Sequence, residues 1–462
     1  MSNQETCIGT TESVCPVCLQ RIPARRVKTG DEVYLEKECP CHGSFRTLIW
    51  RGGPDYENWG QAHEQATPVN PAHAEMEKGC PYDCGLCPDH RQHTCCVLME
   101  VTSRCNLGCP VCFASAGTPS KEPDIAMIGS WFDAMMNSGG PFNIQLSGGE
   151  PTMRDDLDEI IRLGRVKGFS FFQLNTNGIR IAEEPGYIRH LADAGLNCVF
   201  LQFDGLRDET YRKLRGRPLF ELKKKAIAEC EAADIGVVLV PTLSAGVNTQ
   251  EAGDILQFAL DHMPAVRGVH FQPISYFGRF EDMDAGMRYT LPDLLRDIEN
   301  QTEGRMKVSD FSPGNAENAY CSFSGNFMKM QDGTIRTLNS EKSCGCGAAH
   351  AQPGAASRKA QKFVARRWSS GRPKVRSADQ KTSCCCQTGS LDDFLERIEQ
   401  YTLAVSCMTF MDAWNLDLER LRECYIHIIS QKEKMNLVPF CAYNLTAADG
   451  RTLDRGREDS GT

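Results

Sequence analysis

The chain has 462 residues, of which 41% are apolar and 24% are charged, and its formal net charge is −9. This length exceeds what one hydrophobic core supports, so we expect a main domain with smaller additions. The negative charge argues against a general nucleic-acid-binding protein. A polar N-terminus without a signal peptide, and no apolar stretch near the ~18 residues of a membrane span, predict a cytoplasmic protein.

The 24 cysteines are the unusual feature of the composition. In a large chain with no secretion signal, such cysteines favour metal binding over disulfides. Single cysteines inside apolar segments, such as Cys198 and Cys230, are instead interpreted as small buried hydrophobic side chains. The grouped cysteines therefore mark the candidate metal sites.

Residues 1–60 are predicted to form a small rubredoxin-like module with one metal ion. Two knuckles, C-x2-C and C-x2-H, flank a hairpin pattern with a TGD turn, and they supply the ligands Cys15, Cys18, Cys39 and His42. Cys41 is an alternative to His42 as the fourth ligand. Such a set holds a tetrahedral zinc or iron ion, and we expect that mononuclear ion to be structural.

Residues 61–96 are predicted to carry an auxiliary iron–sulfur cluster. The spacing C-x3-C-x2-C occurs here at Cys80, Cys84 and Cys87, ahead of the predicted barrel. Two further cysteines, at positions 95 and 96, offer a fourth thiolate to close the cluster. We interpret Cys95 as that ligand and the site as a saturated auxiliary [4Fe–4S] cluster.

The same spacing recurs at Cys105, Cys109 and Cys112, directly after the first apolar strand. Three thiolates on a four-iron cube leave one iron open, much as a catalytic zinc keeps one open position. Glycine-rich loops are predicted to face this loop across the mouth of the barrel. We therefore predict that the second triplet holds the catalytic cluster.

Residues 97–290 show six apolar strands, each separated from the next by a helix. The strands are predicted over 97–102, 142–149, 170–178, 197–205, 235–243 and 268–274. Apolar strands alternating with helices indicate a parallel sheet covered by helices, so we predict an α/β fold with a partial (β/α)6 TIM-like barrel. The motifs SGGEP, NTNG and DG follow three of the strands, at the end where barrels carry their active sites.

Residues 291–445 are predicted to form a C-terminal auxiliary-cluster domain. Its scattered cysteines, expected to converge on a second auxiliary [4Fe–4S] cluster, are Cys321, Cys407, Cys424 and Cys441. The alternative is four buried free cysteines. Residues 390–428 have a helical pattern with one interruption, and residues 446–462 have the composition of a disordered tail.

A cysteine-rich basic insertion is predicted over residues 343–389. Its five cysteines are Cys344, Cys346, Cys384, Cys385 and Cys386. They flank residues 357–376, which contain no acidic residue. A solvated insertion, a further metal site, a redox-active thiol group and a docking patch for an anionic substrate or electron donor all fit this pattern.

The motif CNLGCPVC after a strand, followed by LSGGEPTMRDDL, resembles the radical S-adenosylmethionine (radical SAM) superfamily over residues 97–275. The resemblance implies a [4Fe–4S] cluster whose open iron is chelated by SAM. One electron then cleaves SAM to a 5′-deoxyadenosyl radical, which abstracts a substrate hydrogen atom. The implied SAM-binding residues are Gly148, Gly149 and Glu150 for the amino group, and Asn175, Asn177 and Asp204 for the ribose and carboxylate.

A narrower resemblance covers nearly the whole chain. The knuckle module, KGCPYDCGLCPDH, FQPIS and LVPFCAYN are similar to the branch that contains tetraether lipid synthase and pterin dimethyltransferase. This resemblance implies methylation or C–C bond formation at an unactivated carbon, auxiliary clusters, and Cys95 as the fourth ligand of the first of them. We expect a small-molecule or lipid substrate and an electron donor such as ferredoxin or flavodoxin.

The leading interpretation is an enzyme that cleaves SAM reductively. A non-catalytic electron carrier with several clusters is the alternative, although a carrier needs neither an open iron nor an SGGEP loop. The sequence leaves open the substrate and the choice between methylation and C–C coupling.

Overall fold

The computed structural model describes residues 5–61, 76–117, 121–280, 287–314, 316–338, 354–369, 391–431 and 435–455. The five cysteines of the predicted insertion, at positions 344, 346 and 384–386, lie outside the described residues, so their role stays a prediction. Among the described helices, none has the length and apolar character that a membrane span requires.

The N-terminal module is a four-stranded antiparallel sheet followed by a short helix. Its elements are β1 (Glu5–Val14), β2 (Arg21–Thr29), β3 (Glu32–Cys39), β4 (Gly43–Arg51) and α1 (Tyr56–Gly60). The TGD turn joins β2 to β3, and Gly30 there has a φ of 65°, in the left-handed region that glycine adopts without strain. The sheet docks on the C-terminal part of the chain, because the Lys37 ammonium donates to the Ala413 carbonyl at 2.7 Å.

The central part is the predicted βα barrel. The strands are β5 (Cys96–Thr102), β6 (Asn143–Gly148), β7 (Phe172–Thr176), β8 (Cys198–Gln202), β9 (Gly236–Val240), β10 (Thr242–Leu243) and β11 (Val266–Pro273). The helices are α2 (Ile125–Asn137), α3 (Leu157–Val166), α4 (Ile179–Glu183), α5 (Tyr187–Ala194), α6 (Asp208–Arg215), α7 (Phe220–Ala232) and α8 (Ala252–Asp261). The six long strands pair in parallel in the order β11-β9-β8-β7-β6-β5, which confirms the predicted fold class.

The C-terminal part extends this sheet at both edges. Its strands are β12 (Ser312–Pro313), β13 (Ser322–Lys329), β14 (Ile335–Thr337), β15 (Thr402–Met408), β16 (Ile426–Ile429) and β17 (Leu437–Pro439). Its helices are α9 (Leu291–Gln301), α10 (Ala355–Trp368), α11 (Leu391–Gln400), α12 (Leu418–Arg422) and α13 (Phe440–Tyr443). β15 pairs in parallel with β11, and β16 pairs in parallel with β5.

The helical prediction for residues 390–428 is wrong over β15 and β16. Only α11 and α12 are helical there. The segment TLAVSCM is a short apolar run, for which periodicity does not separate a buried strand from a helix. The free edge of the barrel sheet decides the outcome, because pairing with β11 satisfies the backbone groups of β15.

Residues 446–455 of the predicted tail are ordered, and residues 456–462 lie outside the described residues. Ala447 and Leu453 are buried, and Thr446 forms a β-bridge with Thr452. The Arg455 guanidinium donates to both oxygens of Glu100, at 2.6 and 3.0 Å, and so holds the segment against β5. The polar composition of residues 446–455 therefore misled the prediction, because specific ion pairing orders them.

Candidate active site

A cavity of about 290 Å³ lies inside the barrel. Cys105, Cys109 and Cys112 line one end of it, beside the loops that follow β6 and β7. At the opposite end α10 covers the beginning of the strands, where Trp368 lines the cavity. The carbonyl of Trp368 lies so close to the first residue of β9 that only glycine fits there. The cavity thus extends along the barrel interior from the cysteine loop to α10.

The loop that carries the second triplet brings its three thiols together. Burial and, after it, Glu150 and the Cys109 and Cys112 thiols raise the pKa of Cys105 to about 11. Thiols with a raised pKa are protonated at neutral pH, and a metal binds them by displacing these protons. The three side chains, which line the cavity, fit a [4Fe–4S] cluster held by three cysteines.

Arg279 anchors this loop from beyond β11. Its backbone forms a two-way bridge with Cys112, at 2.8 and 3.0 Å, and its Nε donates to the Cys109 carbonyl at 2.9 Å. The sequence analysis missed Arg279, because a single arginine in YFGRF belongs to no motif. Only the folding of the chain brings it to the cysteine loop.

Two glycines of the SGGEP loop are required sterically. Gly148 has a φ of 116°, and a Cβ on it would clash with the Thr102 carbonyl. A Cβ on Gly149 would clash with the Arg104 carbonyl. The loop therefore lies directly on the start of the cysteine loop, where Glu150 N donates to the Arg104 carbonyl at 2.8 Å.

Glu150 joins the SGGEP loop to the NTNG loop. Its carboxylate is 1% exposed and accepts hydrogen bonds from the Thr152 amide and hydroxyl, at 3.1 and 2.7 Å. It also accepts from the Thr176 hydroxyl and the Asn177 amide, both at 2.7 Å. Burial raises the pKa of this carboxyl above its usual value. All of these donors belong to the protein, so the hydrogen bonds of the Glu150 carboxylate hold the SGGEP and NTNG loops in position.

The residues expected for ribose and carboxylate contacts divide into two groups. Asn175 and Asn177 line the cavity, and Asn177 Nδ2 donates to Asn106 Oδ1 of the cysteine loop at 2.7 Å. Asp204 does not line it: its carboxylate is fully buried and accepts two hydrogen bonds from Arg215, both at 2.7 Å. The Asp204 carboxylate is thus turned to Arg215, and its contact with SAM stays a prediction.

Arg215 is the cationic group that the sequence analysis missed. It lines the cavity, and its charge partly opposes the burial that raises the pKa of the Cys109 thiol. The sequence signal that could have identified Arg215 is a second charged residue eleven positions after Asp204, at the end of α6. A guanidinium held in place by Asp204 is preorganised to bind a carboxylate.

The four predicted ligands of the N-terminal module converge. The ligand atoms of Cys15, Cys18, Cys39 and His42 all lie within 4.8 Å of one another. His42 Nδ1 lies 3.4 Å from Cys39 Sγ, whereas Cys41 is exposed. Zinc–sulfur bonds of ~2.3 Å in a tetrahedron place sulfurs about 3.8 Å apart, and the 3.9 Å between Cys18 and Cys39 fits this. This geometry favours His42 over Cys41 as the fourth ligand of the metal ion.

The first triplet forms a separate group under the C-terminal part. The Cys80 thiol, burial and Cys87 together raise the pKa of Cys84 well above its usual value. A small cavity beside them is lined by Cys80, Cys84, Cys87 and His90, but not by Cys95. The three thiols fit a cluster, and the thiol assigned as the fourth ligand lies elsewhere.

A third group of thiols forms at the edge of the barrel. The Cys424 and Cys321 thiols, after burial, raise the pKa of Cys441. Burial and, after it, Glu317 raise the pKa of Cys321, Cys424 and Cys95, although no thiol of the third group acts on the pKa of Cys95. The Cys95 amide donates to the Tyr425 carbonyl at 2.8 Å, which places the Cys95 backbone beside Cys424.

Cys407 stands apart from these thiols. It is fully buried in β15 among the apolar side chains of the main core, opposite Phe323. Burial is the only cause that raises its pKa, with no contribution from a neighbouring thiol. The alternative of a buried free cysteine fits Cys407, because β15 turns this side chain away from the barrel interior.

Comparison with known proteins places these features in a family. A model described as the HMPTM N-terminal zinc ribbon domain matches residues 7–51, and one described as the radical SAM superfamily matches residues 99–259. A 7,8-dihydro-6-hydroxymethylpterin dimethyltransferase from Methanocaldococcus jannaschii is 33% identical over 94% of this chain and 93% of its own. A probable GTP 3′,8-cyclase from Methanothermobacter thermautotrophicus is 33% identical over 35% of this chain and 52% of its own.

The solved structure of Streptococcus suis SuiB bound to S-adenosylmethionine matches 46% of this chain and 48% of its own. The two chains are 14% identical over that part, and their TM-score is 0.37.

Proposed function

We propose, on the premise that the chain belongs to the radical SAM superfamily and to the family of 7,8-dihydro-6-hydroxymethylpterin dimethyltransferase, that it methylates an unactivated carbon of a pterin-like ring. The observation that carries this proposal is the barrel cavity, with three converging thiols at its mouth and amide side chains along its wall. We propose a pterin ring because the relative that matches 94% of this chain is a 7,8-dihydro-6-hydroxymethylpterin dimethyltransferase.

The groups at the mouth have distinct tasks in this proposal. A [4Fe–4S] cluster with bound SAM would supply, for one electron, a 5′-deoxyadenosyl radical that takes a hydrogen atom from the carbon. A second SAM would then give its methyl group to this carbon, take up one further electron and leave as S-adenosylhomocysteine. Cys105, Cys109 and Cys112 hold that cluster. Arg215 binds the SAM carboxylate, and Glu150 keeps the two adjoining loops in place.

The cavity wall favours a heterocycle over a lipid chain. Seven amide side chains line the cavity: Asn143, Gln145, Gln173, Asn175, Asn177, Gln202 and Gln272. An alkyl chain would leave Gln173 Oε1, which has no hydrogen-bond partner within the described residues, buried and unpaired, which is unfavourable. A ring with an N–H group at its edge would pair with this acceptor. This is why we favour methylation of a pterin-like ring over the coupling of lipid chains.

The remaining cysteines are proposed to hold further metals. Cys15, Cys18, Cys39 and His42 bind a structural zinc or iron ion. Cys80, Cys84 and Cys87 bind one auxiliary [4Fe–4S] cluster, and Cys321, Cys424 and Cys441 bind a second, which Cys95 closes. A ferredoxin or flavodoxin as electron donor and a cytoplasmic location stay predictions.

The decisive experiment is anaerobic incubation of reconstituted protein with dithionite, SAM and a pterin. We expect 5′-deoxyadenosine and a pterin heavier by one or two methyl groups. Cys105→Ala should abolish both products, whereas Cys7→Ala, at an exposed cysteine, should change neither. Redox-active clusters without any 5′-deoxyadenosine would instead support the electron-carrier alternative.

A further inference from the structure

A chain of hydrogen-bonded amides crosses the wall of the barrel cavity. Gln173 Nε2 donates to Asn175 Oδ1 at 2.8 Å, and Asn175 Nδ2 donates to Gln145 Oε1 at 3.3 Å. Gln145 Nε2 then donates to Cys96 Sγ at 3.5 Å. These residues lie on β7, β6 and β5, where Gln145 and Gln173 are paired in register. Each amide in the chain fixes the orientation of the next.

One end of this amide chain is left without a partner. Gln173 is 1% exposed, lines the cavity, and its Oε1 has no hydrogen-bond partner within the described residues. Its own Nε2 is bound to Asn175, so Oε1 is held as an acceptor. A buried acceptor without a donor is unfavourable for the fold. The position therefore indicates a ligand that brings an N–H group.

Aromatic side chains surround the same part of the cavity. Phe200 packs edge-to-face with Trp368, with ring centroids 4.9 Å apart, and with His270 at 5.5 Å. His270 Nδ1 is joined to Ser406 Oγ at 2.8 Å, which leaves Nε2 for the cavity. Flat rings stack on such side chains and present their edges to the polar groups at the side.

We propose that the amide chain from Gln173 to Cys96 reads the N–H edge of a flat nitrogen heterocycle, with Gln173 Oε1 as the acceptor for its N–H donor. This inference rests on the proposed function, and it adds the residue that distinguishes an amino-substituted ring from rings that lack an N–H group. Discrimination of this kind is strong, because an analogue without the donor leaves a buried acceptor unpaired.

The test measures binding of a fluorescent 2-amino-4-oxopteridine to the reconstituted, cluster-loaded protein by fluorescence titration. Gln173→Leu removes the acceptor, and we expect a dissociation constant about tenfold higher or more. Gln173→Glu keeps an oxygen at the same place and should bind within about threefold of the wild type. Gln250→Leu, at an exposed glutamine, is the matched control and should bind like the wild type. Iron content shows that each variant is folded.

A wild-type affinity retained in Gln173→Leu, or a Gln173→Glu variant as weak as Gln173→Leu, overturns the inference. If Gln173→Leu loses iron, Gln173→Met, which has the length of glutamine, takes its place with the same expectation. SAM cleavage without any pteridine binding to the wild type also overturns this inference while leaving radical SAM activity intact. Pteridine binding with the expected variant pattern but no SAM cleavage supports the inference and contradicts the proposed function.

Discussion

Glu150 and Arg215 show how buried charges shape the mouth of the barrel. The Glu150 carboxylate is bound by Thr152, Thr176 and Asn177, while Arg215 is paired with the fully buried Asp204. Both charges are compensated within the protein, which is the condition for burying them. Their side chains are therefore fixed before any ligand arrives, and preorganised groups bind ligands at a lower entropic cost.

Glu150→Ala should weaken SAM binding without removing any cluster. The change leaves the Asn177 amide and two threonine hydroxyls without their acceptor, so we also expect the free energy of unfolding to fall by about 3 kcal/mol. Equilibrium dialysis with labelled SAM, iron analysis and chemical denaturation measure the three quantities. The exposed Glu159→Ala is the control. Unchanged SAM affinity and stability would contradict the role given to this side chain.

Lys223 should make stability depend on pH. It is fully buried, its ammonium donates to the Asn177 carbonyl at 2.6 Å, and burial lowers its pKa to about 7. Between pH 7 and the unfolded value near 10.5 the unfolded chain binds more protons, so this residue makes stability rise with pH. The destabilisation that comes from burying the charged Lys223 is fully present below pH 7 and is absent above pH 10.5.

The measurable consequence is a difference between variants. The free energy of unfolding of the wild type relative to Lys223→Met should increase by up to about 1.4 kcal/mol per pH unit from pH 7 to 9. Other titrating groups cancel in this difference. Lys225→Met, at an exposed lysine, should show no such slope. A flat difference for Lys223→Met would mean that Lys223 keeps its ordinary pKa.

At the scale of elements, the C-terminal strands extend the barrel sheet at both edges. β15 and β16 add to its two edges, and β16 brings Cys424 towards the beginning of β5, where Cys95 lies. The first triplet precedes the barrel in sequence but lies in its own small cavity with His90. Sequence proximity and the family resemblance assigned Cys95 to that triplet, whereas the pairing of β5 with β16 brings the Cys95 backbone beside Cys424.

Iron counting distinguishes these two assignments of Cys95. Cys84→Ala and Cys95→Ala should each lose about four irons per chain, because each removes a ligand of a four-iron cluster. If Cys95 belongs to the second auxiliary cluster, the double variant should lose about eight irons. A loss of about four in the double variant would return Cys95 to the first triplet. Cys407→Ser, at the core cysteine, should keep all the iron.

At the scale of the whole molecule, the N-terminal module is continuous with the C-terminal part. Arg26 donates to Asp417 at 2.7 Å, and Ser13 donates to the Leu416 carbonyl at 2.6 Å. Lys37 adds its contact with Ala413. Residues 413–417 precede α12 and Cys424, so the N-terminal module supports the segment that leads to this proposed cluster ligand.

Loss of the mononuclear ion should therefore also destabilise residues outside the N-terminal module. Cys18→Ser should lose one metal ion per chain, lower the melting temperature and speed amide hydrogen exchange over residues 413–417. Metal ligands supply folding free energy to small modules, and these residues lie across the interface. Metal analysis and exchange followed by mass spectrometry report both effects. Cys41→Ser should keep the ion, because His42 completes the site. Exchange that stays slow in Cys18→Ser would show that the two parts are independent.

The sequence by itself determined what depends on local spacing. The period of apolar residues gave the six barrel strands, and the C-x3-C-x2-C and SGGEP spacings located the cysteine loop and the glycines that pack on it. The four ligands of the N-terminal module also followed from two local knuckles. Each of these features needs only residues a few positions apart, whose relative placement the local backbone sets.

Only the tertiary structure decided the features that join distant parts of the chain. These are the strand pairing of β15 and β16, the anchoring of the cysteine loop by Arg279, and the turn of Asp204 towards Arg215. The ordering of residues 446–455 by Arg455 and the amide chain inside the barrel belong with them. The physical reason is that long-range contacts are selected by the packing of the whole core and by the pairing of buried polar groups, and neither leaves a periodic pattern in the sequence.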